Sequence, residues 1–236
     1  MVKCFSIFKG IYTGIFISVL SLSFFSCSSE FQDNLQDRDD GYLDIVFFNV
    51  ETRADLANDG SGSFTEGDKV GLYLQGDKGL SYRELTYSGG QWIPRLKRND
   101  FGEGPLSLSA HYPATGEQQN PETYQLNMAL DQTGDDFYNS DLLFSKTVVE
   151  SGVYKADMNF GHALHRIRIF LSGSMTSPEV KVRSLTQGYF NLLTGEAEVR
   201  GTDFRWITPS KDGEGNFAAV IIPQSAIPYK DDDGLL

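Results

Sequence analysis

The chain has 236 residues, 40% of them apolar and 13% aromatic, which is enough to build a packed core and too much for a disordered polymer. Lys and Arg number 20 against 32 Asp and Glu, and a formal charge of −12 has the wrong sign for counterion-release binding, so no nucleic-acid partner is expected. The two cysteines, Cys4 and Cys27, both fall near the N-terminus, which rules out a disulfide framework or a Cys-based zinc site in the body of the chain.

Lys3 and Lys9 precede an almost uninterrupted apolar run from Ile11 to Phe25. A positive start and an apolar stretch of this length predict an export signal. The run ends in Ser23-Phe24-Phe25-Ser26-Cys27, which resembles a bacterial lipobox with Phe24 in place of the usual Leu. This predicts a lipoprotein signal peptide over residues 1–26, with Cys27 acylated by chains such as palmitate and the mature protein held on a membrane without a spanning helix. An ordinary signal peptide cut nearby is the alternative. Residues 27–41 carry Glu30, Asp33, Asp37, Asp39 and Asp40 with few apolar groups, and are expected to form an acidic tether.

From Tyr42 the pattern changes to period two. Leu43, Ile45 and Phe47 share one face of a first strand, with Asp44, Val46 and Phe48 on the other. A loop rich in Gly, Ser and Asp follows. Strands are then expected over 69–74, 83–87, 91–94, 106–112, 123–128 and 142–149. Within 106–112, Leu106, Leu108, Ala110 and Tyr112 face one way and His111 the other. A second block of strands is expected over 154–160, 163–171, 180–183, 188–192, 197–200, 204–207 and 217–222, with Ile167, Ile169 and Leu171 pointing inward. Many short strands at this spacing predict an all-β sandwich architecture, divided here as 42–152 and 153–236.

Little in the sequence points to catalysis. Asp59 to Ser63 and Asp212 to Asn216 imitate calcium loops, but Phe64 and Phe217 stand where the turn needs Gly, so both are expected to be solvated turns. His162 and His165 share a face only if a helical turn interrupts the strand, and no Glu accompanies them in a zinc-peptidase arrangement. There is no Gly-x-Ser-x-Gly elbow, phosphate-binding loop or dinucleotide fingerprint, and the adjacent Asp135 and Asp136 have no assignable role. The expectation is a protein that is not an enzyme and needs no cofactor or metal.

Several segments occur together in order: the Cys27 lipobox, Glu51-Thr-Arg-Ala54 after the first strand, Phe64-x-x-Gly-Asp-Lys-Val-Gly-Leu-Tyr73, Asp141-Leu-Leu-Phe-Ser145, Phe160-Gly-His-Ala-Leu-His-Arg-Ile167 and Ala219-Val-Ile-Ile-Pro223. The set resembles the fimbrillin-like family of Bacteroidales, exported lipoprotein pilins of the FimA-like or Mfa-like type. The resemblance implies two tandem transthyretin-like β-sandwich domains. It also implies a structural subunit of a cell-surface fimbria, released from its outer-membrane lipid anchor by proteolysis. In this scheme an Arg-specific protease cuts between Arg53 and Ala54, the first strand with Leu43, Ile45 and Phe47 leaves, and a neighbouring subunit donates a strand to the groove. Partners would be other fimbrial subunits, lipoprotein-processing enzymes and that protease.

The chain departs from the family after Ile221-Ile-Pro223, where further strands are usual, so the second domain is expected to be shortened at its C-terminus. The competing reading is a surface lipoprotein that never polymerises, serving as a fimbrial anchor or binding glycan or host protein through aromatics such as Tyr87, Trp92 and Tyr112. Core packing is the other use of those three side chains.

Overall fold

The computed structural model describes residues 40–48, 64–171 and 179–225. Sixteen strands account for about half of them: β1 (Asp44–Phe48), β2 (Lys69–Gly76), β3 (Gly79–Ser88), β4 (Gln91–Ile93), β5 (Leu106–Tyr112), β6 (Tyr124–Asn127), β7 (Leu143–Val149), β8 (Lys155–Asn159), β9 (Gly161–His162), β10 (His165–Ile169), β11 (Val182–Leu185), β12 (Gln187–Phe190), β13 (Ala197–Val199), β14 (Phe204–Ile207), β15 (Ser210–Lys211) and β16 (Phe217–Ile221). A five-residue helix, α1 (Asp135–Asn139), takes up the Asp135 and Asp136 pair in its first turn. The fold is all-β, as the alternation in the sequence predicts.

The largest sheet has the order β4-β3-β2-β5-β7-β9 and is antiparallel throughout. β5 lies in its middle, and Leu106, Leu108, Ala110 and Tyr112 are all buried in a first core with Leu72 and Leu74 of β2 and Met158 of β8. The opposite face of the same strands is also covered. Tyr73, Tyr82 and Phe144 point into a second core with Leu126, Phe190, Leu192, Val220 and Ile222. A sheet buried on both faces explains why β2 reads as a continuous apolar run and not as a clean alternation.

Strand pairing crosses the 152/153 line of the chain in three places: β1 with β8, β7 with β9, and β6 with β12. The remaining small sheets are β13-β12-β6, β10-β16-β15 and β11-β14, the last two enclosing a minor core of Ile207, Ala219 and Ile221.

Two expectations need correction. The strand expected over 163–171 is shorter at both ends: β10 runs from His165 to Ile169, and Ala163 and Leu164 separate it from β9, which belongs to the large sheet. Leu171, expected inward, lies beyond the end of β10 and is 40% exposed, as the chain has already left the small core that Ile167 packs against.

Buried amide side chains stitch the short strands where ladders stop. Gln132 is fully buried; its Nε2 donates to the Val220 carbonyl and its Oε1 accepts from the Val220 N–H, both at 2.8 Å. Gln224 does the same for β11, accepting from the Leu185 N–H and donating to the Ser184 hydroxyl and the Ile222 carbonyl. A buried backbone group left unpaired costs about 1–3 kcal/mol. Gln132→Ala is therefore expected to lower the unfolding free energy by about 2–4 kcal/mol in a urea titration, since it strands both polar groups of Val220.

Candidate functional site

The residues singled out in the sequence divide into two sets. Cys27, Arg53 and Ala54 lie outside the described residues, as does the Asp59 loop. Leu43, Ile45 and Phe47 are described, and they define a site around β1.

β1 pairs in parallel with β8 through five residue partners, from Asp44 with Lys155 to Phe48 with Asn159. Flanking bonds continue that ladder, the Asp44 N–H donating to the Tyr154 carbonyl and the Phe160 N–H to the Phe48 carbonyl. The entry to the strand is clamped. Tyr42 bridges to Lys97, the Leu43 N–H donates to the Leu96 carbonyl at 2.7 Å, and the Arg98 N–H to the Gly41 carbonyl at 2.9 Å. Arg95 lies over the Tyr42 ring and pairs with Asp40 at 2.8 Å. Arg98, 2% exposed, holds the next turn by donating to the carbonyls of Gly102 and Gly104.

Beyond that clamp, the second edge of β1 carries no ladder among the described residues. It faces a cleft of about 510 Å³ whose far wall is Gly90, Gln91, Trp92, Pro94 and Arg95. Parallel pairing on one side and a cleft on the other leave β1 with a ladder along one edge only among the described residues, as is also true of its partner β8.

Its side chains anchor it instead. Leu43 is buried, and Ile45 and Phe47 pack against the first core, while Phe48 on the other face is 41% exposed. Phe47 sits in an aromatic cluster, 5.0 Å from Trp92 edge-on and 5.3 Å from Phe160. Phe64 is its hub, with ring centroids 4.7 Å from Trp92, 5.5 Å from Tyr112 and 6.1 Å from both Phe47 and Phe160. Such edge-to-face pairs add about 0.5–1.5 kcal/mol each beyond the burial of their area.

The same cluster absorbs the aromatics that a binding surface would need. Tyr87 packs 5.2 Å from Trp92, and Tyr112 is 5% exposed with its hydroxyl donating to Asp68 Oδ1 at 2.9 Å. In the sequence Phe64 stands out as the residue that spoils a calcium loop and as the start of the Phe64 to Tyr73 segment, neither of which shows its packing. Its structural role is to bring the chain back to the cluster after the segment 49–63, which contains Arg53.

Two of the sequence segments noted above meet in space. Asp141 and His162 pair at 2.8 Å between Oδ2 and Nδ1, and Arg166 approaches the same oxygen at 3.6 Å while lying over the Phe137 ring. His165 is exposed and points elsewhere. The carboxylate of Asp212 is spent on its own turn, accepting from the N–H groups of Glu214 and Asn216 and from Asn216 Nδ2. Desolvation, the largest single effect, pushes its pKa up, but these bonds together outweigh it and hold the carboxyl below the usual carboxylate value. Among the described residues no group of three or more His, Cys, Asp or Glu could hold a metal, and no helix is long and apolar enough to cross a membrane.

The one-sided seating of β1 has a measurable signature. Ile45→Ala and Phe47→Ala are expected to cost about 2–4 kcal/mol each in urea unfolding, whereas Asp44→Ala on the outward face should stay within about 0.5 kcal/mol of wild type.

Solved structures with the same fold come from several Bacteroides species. A candidate cell adhesion protein from Bacteroides uniformis superposes with a TM-score of 0.54 at 18% identity, covering 78% of this chain and 75% of that one. Another from Bacteroides ovatus gives 0.52 at 18% identity, with coverage of 78% and 77%. A third, from Bacteroides thetaiotaomicron, gives 0.51 at 16% identity, with coverage of 78% and 76%. At such identities the likeness speaks for the fold alone, an all-β sandwich. No curated protein sequence matches the chain. A family profile described as fimbrillin-like matches residues 52–235, most of the sequence and nearly all of the described residues beyond β1. The chain belongs to the fimbrillin-like family.

Proposed function

We propose that this protein is a structural subunit of a cell-surface fimbria, exported as a lipoprotein acylated at Cys27 and converted to a polymerising form by cleavage between Arg53 and Ala54. Family membership supports a fimbrial-type surface protein. The observation that carries the mechanism is the seating of β1, held by a parallel ladder on one edge and bordered by a cleft on the other.

Cleavage in the segment between β1 and Phe64 leaves β1 attached by non-covalent contacts alone. Burial of Leu43, Ile45 and Phe47 contributes on the order of 1.5–3 kcal/mol per side chain, enough to hold the strand in the uncut monomer. Once cut, β1 is a short peptide whose dissociation gains the freedom that its covalent tether denied it. The groove it vacates exposes the edge of β8 and the apolar faces of Phe64, Trp92 and Phe160, which a strand from a neighbouring subunit can fill by pairing and by alternate side chains. In this reading the two sandwich domains, 42–152 and 153–236, joined by the strand pairs that cross their boundary, would then form one repeat of the fimbria. Other fimbrial subunits, the lipoprotein-processing enzymes and an Arg-specific protease are the partners this scheme requires.

Purified protein treated with an Arg-specific protease under limited digestion is expected to lose the segment ending at Arg53 and to form filaments or ladders of oligomers visible by electron microscopy and size exclusion. Arg53→Ala should remain monomeric under the same treatment. Oligomers that form equally from Arg53→Ala, or cut material that stays monomeric with β1 retained, would contradict the proposal; saturable glycan binding by the uncut monomer would point to the binding-module alternative.

A further inference from the structure

His111 occupies a position on β5 that a period-two reading assigns to the face opposite the first core, and it is fully buried there. Its ring lies beside those of Tyr73 at 6.0 Å and Tyr82 at 6.3 Å, from β2 and β3, within 30° of parallel to each, and the two tyrosines are 5.0 Å apart. Gly71 is its rung partner on β2, and a Cβ at Gly71 would overlap the imidazole, so the ring uses the space that only glycine leaves. The chain then turns back over the ring. Thr115 covers Nε2, its hydroxyl 3.0 Å away and its N–H donating at 3.3 Å, while Gln118 N–H donates to the Tyr73 hydroxyl at 3.0 Å. Nδ1 has no hydrogen-bond partner among the described residues.

We propose that this cradle is an acid-sensitive clasp on residues 113–119, the segment that carries the chain from the large sheet to β6. The Ala114 N–H fixes the start of the segment on the Lys69 carbonyl at 2.9 Å; beyond it, the Thr115 and Gln118 N–H groups both end on the cradle, one on the imidazole of His111 and the other on the hydroxyl of the neighbouring Tyr73. In the tautomer with its proton on Nδ1, Nε2 accepts from the Thr115 N–H; protonation of Nε2 removes that backbone bond, leaves the Thr115 hydroxyl as acceptor for the new N–H, and places a cation in a cavity lined by rings and backbone.

The charged groups around the site do not offset that cation. From β3, Glu84 shares the rung of Gly71 but is paired with Lys69 at 2.7 Å at the surface. From the covering segment, Glu117 is exposed. On the β7 side the rung partner is Phe144, and β2 contributes Gly71 and Tyr73. Burial alone accordingly pushes the His111 pKa down from 6.5 to about 4, and burial, with Glu84 second, pushes the Tyr82 hydroxyl up to about 12. The clasped state thus binds fewer protons than the opened one between those two histidine values. Its hold is complete above pH 6.5 and is lost progressively as pH falls toward 4.

The test is amide hydrogen exchange on the full chain, with rates corrected for the intrinsic pH dependence. The Thr115 and Gln118 amides are expected to open roughly tenfold more often for each pH unit below about 6.5, while the Leu74 amide in β2 keeps its protection. In His111→Phe, whose ring still fills the cavity, that pH dependence should be absent. Should the variant not fold, the ring-proton titration of His111 in the wild-type spectrum decides: a midpoint below 5 supports the clasp, and a midpoint near 6.5 in the native state overturns it. Unchanged Thr115 and Gln118 protection down to pH 4.5, equal loss at Leu74, or the same pH dependence in His111→Phe would each overturn the proposal as well.

Discussion

The first core closes only when Leu43, Ile45 and Phe47 of β1 fill the space between β8 and Trp92, and this seating is the constraint on which the account of function rests. A strand bonded on both edges inside an antiparallel sheet would leave only with the sheet. β1 is bonded on one, in parallel with β8, and its attachment lies chiefly in three side chains and the aromatic cluster around Phe64. The apolar effect has no direction, so a slot built this way accepts any strand that presents large side chains at the same spacing. Hydrogen bonds to the β8 edge add register without adding identity. In the proposed mechanism such a slot holds its own strand in the monomer and another chain's strand in a polymer.

The large sheet is the support that makes this exchange tolerable. It is buried on both faces, with the first core on one side and Tyr73, Tyr82, His111 and Phe144 facing the other way. Loss of β1 exposes only the first of these. Beyond the sheet, where strands are short, the fold relies on side-chain amides such as Gln132 and Gln224 to complete the backbone pairing. The polar cradle of His111 and the Asp141, His162 and Arg166 cluster sit where the chain leaves the sheet, at Tyr112 and at His162. The sheet body is thus tied to the rest by specific polar contacts and not by apolar packing alone.

Local patterning made most strands readable. The alternation of Leu106, Leu108, Ala110 and Tyr112 marked one buried face of β5, and the apolar triplet of β1 marked its seating side. Period two assigns faces but does not say what covers them, so His111 could be placed opposite the core without its burial being visible. The five residues of α1 are too few to show a helical period. The break between His162 and His165 needed knowledge that the two halves join different sheets, and the pairing of β6 with β12 spans some sixty residues with no local signal. Phe64 and Gln132 were illegible for a related reason: each takes its role from partners brought by the fold, an aromatic cluster for one and the backbone of Val220 for the other.

The most direct measurement is mass spectrometry of the native protein in the membrane and sheared-surface fractions of its own cells, defining the N-terminus of the assembled chain. The account predicts a chain beginning at Ala54 in the sheared fraction, so that β1 is absent from assembled material. A sheared fraction whose chains still carry residues 42–48, or a protein found only in the membrane and beginning at acylated Cys27, would contradict it.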